Sequence, residues 1–255
     1  MIKKIIYAFR FMTVIPIPWK EGEDLDRVAR SISLIPLVGL VIGLTISGIF
    51  TLSTNIFSNL FTSGLMTIWW IFITGGLHLD GLSDSSDGLF GGTTVEKRLE
   101  IMKDSRTGVF GVLTLICFIL LKLLTINELI INSRVSIIPI LISIPIISRW
   151  CVVFSIFSFK SAKEGGLGVF FKKFIRVKDL ILSLILTVGI IFYFTGLLGV
   201  LVTLLSTLIT FLLSLFYIKK LGGLTGDLYG AINEIIELIS MLQFLILSAL
   251  GILNW

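Results

Sequence analysis

SISLIPLVGLVIGLTISGIFTLSTNIFSNLFTSGLMTIWWIFITGGLHL, residues 31–79, contains no Asp, Glu, Lys or Arg. A spanning helix needs roughly 20 mostly apolar residues. This stretch therefore holds two spans, with a turn near Asn55 to Asn59. Directly after it, Asp80, Asp84 and Asp87 arrive within eight residues. Lipid does not solvate carboxylates, and three close negative charges repel one another. A divalent cation, or an anionic substrate held by a metal, is the natural compensation.

The rest of the chain repeats the pattern. Over 255 residues it is 55% hydrophobic and 15% charged, with a mean hydropathy of +1.04, the composition of a polytopic membrane protein. The uncharged run Leu180 to Ile218 holds two more spans, turning near Gly196 to Gly199, and others read as Gly108 to Thr125, Ser136 to Phe159 and Leu228 to Leu253. The expected fold is thus all-α, a transmembrane bundle of about seven spans forming one domain over residues 1–255. Residues 1–31 form an interfacial N-terminal segment, with Ile5 to Pro18 apolar but broken by Arg10, Pro16 and Pro18. It lacks the clean apolar region and small-residue cleavage site of a signal peptide.

Charge orients this bundle. All Lys and Arg except Lys122, Arg134 and Arg149 fall in residues 1–31, 80–107, 160–178 and 219–220. A seven-span path puts these four groups on one side, the cytoplasmic side by the positive-inside rule. Every acidic residue except Glu128 shares it, so the chemistry belongs on cytoplasmic loops. The net charge of +5 reflects topology and affinity for anionic membrane lipids. It gives no reading of nucleic-acid binding, because the basic residues are scattered over short loops. Cys117 and Cys151 lie inside expected spans and read as small apolar residues.

Three constellations carry chemistry. In Gly75 to Gly88, Asp80, Asp84 and Asp87 point within about 60° of one another on a continuing helix, and His78, the only histidine, stands beside them. In Arg98 to Gly108, Lys103, Asp104 and Arg106 lead into a span whose N-terminus attracts phosphate. In Gly222 to Glu237, a Gly-rich approach through Gly226 leads to Asp227 and Glu234, seven apart and on one helix face, with Glu237 one turn deeper. Arg149 sits roughly 15 Å below Lys160 in its span, where a guanidinium needs a carboxylate or a phosphate as partner. The Gly-containing loop Lys163 to Phe170 is a candidate lid.

These segments, with Met-Lys-Asp-Ser-Arg at 102–106, Gly-Leu-Gly-Val-Phe at 166–170 and the opening Phe11-Met12-Thr13-Val14-Ile15-Pro16, resemble the cobalamin synthase family, the adenosylcobinamide-GDP ribazoletransferases. The resemblance implies an integral membrane enzyme that joins adenosylcobinamide-GDP to α-ribazole or its 5′-phosphate, releases GMP and requires Mg²⁺. On that reading Asp80, Asp84 and Asp87 are metal ligands. Asp227 and Glu234 are further ligands or the base, and Lys103, Arg106 and Arg149 contact phosphate. His78, Asp104 and Gly226 complete the substrate site. Asp84-Ser85-Ser86-Asp87-Gly88 also matches the start of the CDP-alcohol phosphotransferase pattern, whose remaining residues do not follow. A cation transporter would need carboxylates reaching the far side of the membrane.

Overall fold

The computed structural model describes residues 2–16, 31–132, 137–162 and 167–250. The acidic stretch Glu21 to Asp26, Arg134, the Lys163 to Gly166 part of the candidate lid and Trp255 lie outside the described residues. The elements in chain order are α1 (Ile2–Met12), a 3₁₀ turn (Ile32–Leu34), α2 (Ile35–Ser53), α3 (Asn59–Ile73), α4 (Leu77–Gly91), α5 (Val95–Ile101), α6 (Val109–Asn132), α7 (Ile137–Ser158), α8 (Leu167–Phe174), α9 (Val177–Leu221) and α10 (Gly226–Ala249). No strand occurs among the described residues, and the only sheet-like contact is a single bridge between Ser161 and Leu224.

Local signals account for the helix ends. Pro36 opens α2, where its missing N–H costs nothing. The Ser58 hydroxyl accepts from Phe61 N at 3.3 Å to start α3, and Thr94 and Thr225 do the same for α5 and α10. Gly222, at φ 80°, closes α9 in the left-handed conformation that glycine adopts without a Cβ penalty. The α1 helix buries Tyr7, Ala8 and Met12 against the bundle. Beyond it, Val14 N donates to Ile73 O at 3.0 Å.

The central element is α7, buried on nearly every side, whereas α6 and α9 present large apolar residues such as Leu113, Leu120, Phe192 and Leu204 outward. A helix apolar all round belongs inside, and one with exposed Leu and Phe belongs against lipid. Two glycines one turn apart, Gly39 and Gly43, set the closest crossing. A Cβ on Gly43 would stand 2.6 Å from Ile142 Cα, and one on Gly39 would run into Pro145 O. This is the small-xxx-small packing that lets membrane helices touch backbone to backbone.

Among the described residues five helices are long and apolar enough to cross a membrane, or six when α3 and α4 are taken as one broken span. The difference from seven has a physical source. The 45-residue α9 has a non-helical residue, Gly196, at φ 60° and ψ −152°. A Cβ on Gly199 would lie 2.7 Å from Ile191 Cγ2, whereas eight residues of straight helix separate two positions by about 12 Å. The chain therefore doubles back at Gly196, inside the segment where the sequence places a turn. Thr195, just before the turn, meets Ser143 of α7, and the second arm runs on alongside α7 with Thr207 at Trp150.

A larger difference concerns the second span. Its helix does not continue into the carboxylates. Gly75 and Gly76 both have positive φ, 62° and 70°, and the axis turns by 89° between Asn59–Thr74 and Leu77–Gly91. The carboxylates thus ride on a separate short helix at right angles to the span before it.

The α2–α7 crossing gives a test of the packing. Gly43→Leu forces a side chain into backbone and should destabilise by at least ~1–3 kcal/mol, lowering the thermal unfolding midpoint in detergent. Gly48→Leu, where nothing lies within 4 Å of an added Cβ, should leave the midpoint close to the parent. Equal midpoints for the two variants would remove the crossing from the determinants of stability.

Candidate active site

The turn at Gly75 and Gly76 aims α4 across the bundle and onto the first turns of α10. The two helices meet without side chains between them. A Cβ on Gly81 would stand 2.5 Å from Asp227 O, and one on Gly230 would stand 3.2 Å from His78 Cα. Asp80, which is exposed, Asp84 and Asp227, which are half-buried, are gathered around this crossing. The charges of Asp80, Asp87 and Asp227 all act on Asp84. The Thr225 hydroxyl donates to Asp227 Oδ2 at 3.4 Å. No Lys or Arg of the described residues is ion-paired with Asp80, Asp84 or Asp227. Among the described residues no group of three or more His, Cys, Asp or Glu side chains forms a ready-made metal cage. The trio supplies hard oxygen donors.

Asp87 is placed differently from its two neighbours. It is buried, and its oxygens accept from Gly108 N and Gly111 N, both at 2.8 Å. A carboxylate from α4 thereby caps the N-terminus of α6, satisfying amide groups that a helix start leaves open. Glycine at 108 and 111 leaves room, since a Cβ at either position would collide with that carboxylate.

The loop before α6 carries Lys103, Asp104 and Arg106, all exposed. Arg106 forks onto Asp104, with Nη2 to Oδ2 at 2.7 Å and Nε to Oδ1 at 3.0 Å, and its backbone N donates to Oδ1 as well. These hydrogen bonds hold the Asp104 carboxyl down at about 2. The fixed pair stands two residues from Gly108 and so next to the Asp87 anchor. The far side of the same region is tied by Arg98, which donates to Gly92 O and to Lys220 O, each at 3.0 Å. Leu224 N donates to Lys160 O at 2.9 Å, holding the approach to α10.

Glu234 and Arg149 stand apart from the three-carboxylate group. Both belong to a fully buried network deeper in the bundle. Lys122 on α6 donates to Glu234 at 3.0 Å and to Glu237 at 2.6 Å. Its ammonium lies 4.4 Å from the centre of the Trp70 ring. Arg149 on α7 pairs with the other oxygen of Glu237. Asn233 donates to Glu237 at 3.2 Å and contacts His78 Nδ1 at 3.2 Å. His78 therefore joins the buried network to α4, two residues before Asp80. Lys122 is the member that the sequence reading left unassigned. A lysine in the middle of an otherwise apolar stretch, facing two Glu one turn apart on another span, is the signal that marks it.

The sequence profile of the cobalamin-5-phosphate synthase family matches residues 4–246 of the chain. The chain belongs to that family. Curated relatives named adenosylcobinamide-GDP ribazoletransferase align along nearly their whole length. The protein of Caldanaerobacter subterraneus subsp. tengcongensis is 38% identical over 249 residues, covering 96% of this chain and 99% of its own. That of Desulforamulus reducens is 37% identical over 238 residues, covering 93% and 94%. That of Fusobacterium nucleatum is 34% identical over 272 residues, covering 96% and 98%. No solved structure matches. Within this cobalamin-5-phosphate synthase family member, the acidic crossing of α4 and α10 and the buried ionic network are separate features linked by His78.

The two features should respond differently to mutation. Glu237→Gln leaves Lys122 and Arg149 short of a charge inside the bundle, and breaking one partner of a buried pair costs about 3–5 kcal/mol. We expect a clearly lower unfolding midpoint in detergent for Glu237→Gln and a near-parental one for Asp84→Asn. The reverse order would exchange the structural and chemical roles of these residues.

Proposed function

We propose that the chain transfers the phosphorylated corrinoid of adenosylcobinamide-GDP to α-ribazole or its 5′-phosphate, with GMP as the leaving group, on the cytoplasmic side of the cell membrane. The observation that supports this reading best is the gathering of Asp80, Asp84 and Asp227 at the glycine crossing without an ion-paired cation, in a chain of this family. Acidic groups brought together in this way fit a reaction between an uncharged hydroxyl and a diphosphate.

The bonds change as follows. The ribose hydroxyl oxygen attacks the phosphorus on the corrinoid side of the diphosphate and forms a new P–O bond. The bond from that phosphorus to the bridging oxygen breaks, and GMP leaves with the electron pair. The hydroxyl proton passes to a carboxylate of the cluster. Asp227, which accepts a hydrogen bond from Thr225, is the carboxylate proposed to receive it.

Asp80 and Asp84 are the residues that would hold Mg²⁺, which binds through one or two carboxylates together with water and substrate phosphate oxygens. When bound it supplies neutralisation of the diphosphate charge. The chain's own residues bind and orient. Lys103 and Arg106 on the loop before α6 face the solvent; Lys103 would meet phosphate oxygens, and Arg106, held in place by Asp104, would present its remaining N–H groups to them. Asp87 holds the α6 N-terminus against α4, fixing loop and carboxylates in one frame.

The decisive experiment incubates purified protein in detergent with adenosylcobinamide-GDP, α-ribazole and Mg²⁺ and separates the products by chromatography. A cobalamin and GMP in equal amounts are expected. In Asp84→Asn the turnover should fall by at least about a hundredfold, the scale of an acid–base or metal-ligand contribution, with membrane insertion intact. Turnover within a few-fold of the parent would take Asp84 out of the site.

The proposed sidedness has its own check. With the charged loops cytoplasmic, a cysteine introduced as Thr94→Cys at the exposed start of α5 should react with an impermeant maleimide only in inside-out vesicles. Labelling in intact cells would reverse the orientation.

A further inference from the structure

Beside the acidic crossing lies a cavity of about 110 Å³, enclosed by α1, α2, α4, α7, α8 and α10. One water needs roughly 10–15 Å³ of such space, so this cavity takes a group of several heavy atoms. Its chemistry is one-sided. Phe11 and Phe171 meet edge to face, with ring centres 5.4 Å apart, and Ile35 and Ile156 continue the apolar wall. Asp80 and Asp227 belong to the lining as well. Among the described residues no Lys or Arg lines it.

These walls discriminate between the two substrates of the proposed reaction. The donor presents a charged diphosphate, which a wall of Phe11, Phe171, Ile35 and Ile156 does not solvate. The acceptor presents a neutral, flat, methylated benzimidazole base on a ribose. Aromatic edges and aliphatic side chains suit the faces and methyl groups of such a base. Carboxylates in the lining suit ribose hydroxyls, which donate hydrogen bonds to them.

We propose that this cavity is the acceptor-base subsite: the benzimidazole of α-ribazole sits among Phe11, Phe171, Ile35 and Ile156, with its ribose directed at Asp80 and Asp227. The assignment rests on the transferase reading above. It accounts for α1 and α8, two short helices that span nothing but supply the aromatic pair. It also makes the size of the base a property read by α7, whose Val152 lines the same cavity.

The test is a size exchange. Val152→Phe, made in the full-length protein, fills the cavity without touching a carboxylate. We expect the KM for α-ribazole to rise at least tenfold, while the KM for adenosylcobinamide-GDP stays within twofold. The loss should shrink when the acceptor is the riboside of unmethylated benzimidazole, which needs less room. Should Val152→Phe fail to insert, Phe171→Leu carries the same comparison, with a raised acceptor KM and an unchanged donor KM expected. An unchanged acceptor KM in either folded variant, the result if a lipid chain fills the cavity, overturns the subsite while leaving the transferase reading in place. A rise in donor KM alone also overturns it. Absence of cobalamin and GMP from the parent protein would sink the transferase reading and the subsite together.

Discussion

A lysine and an arginine buried in an apolar bundle must be neutralised where they stand, and Glu237 of α10 serves both at once. Lys122 reaches it from α6 and Arg149 from α7, with Glu234 balancing the second positive charge. Two cations and two anions thus close a neutral set on three helices. Out of water such a set tolerates little misalignment, since a displaced partner leaves a bare charge in low dielectric. Placement of α10 between α6 and α7 follows from it. So does the placement of α4, because Asn233 carries the constraint to His78.

The proposed chemistry sits one layer above this constraint. Asp227 lies on α10 ten residues before Glu237, and Asp80 lies on α4 two residues after His78, so both carboxylates inherit their positions from the network below. Asp87 does the same work at the other end of α4, where two backbone amides of α6 fix it. The acidic helix is therefore held at both ends while its middle carries the half-buried Asp84.

Much of this was legible in the sequence, and the exceptions have physical causes. Uncharged runs gave the spans because lipid tolerates little else, and the turn at Gly196 showed itself through small residues in a run too long for one crossing. The three carboxylates announced themselves through charge density. The right-angle turn was hidden because hydropathy runs unbroken from Leu60 to Leu79 and does not register two glycines at positive φ. Asp87 looked like its neighbours by spacing, and only the backbone amides of Gly108 and Gly111 set it apart. Glu234 shares a helix face with Asp227, but a face two turns long extends from the acidic crossing into the interior, and periodicity does not measure depth. Lys122 was read as an exception to charge topology because its partners lie over a hundred residues away.

Where α4 crosses α10, backbone meets backbone at Gly81 and Gly230. Rotamer changes cannot alter that contact, since no side chain intervenes to flex. Bilayers of different thickness tilt outer helices and compress lipid-facing side chains, and the peripheral arms of α9 are exposed to such adjustments. The spacing between the Asp80 and Asp227 main chains is insulated from them, as a fixed gauge within an adjustable frame. A catalyst built on this contact keeps its working distance when the composition of the surrounding membrane changes.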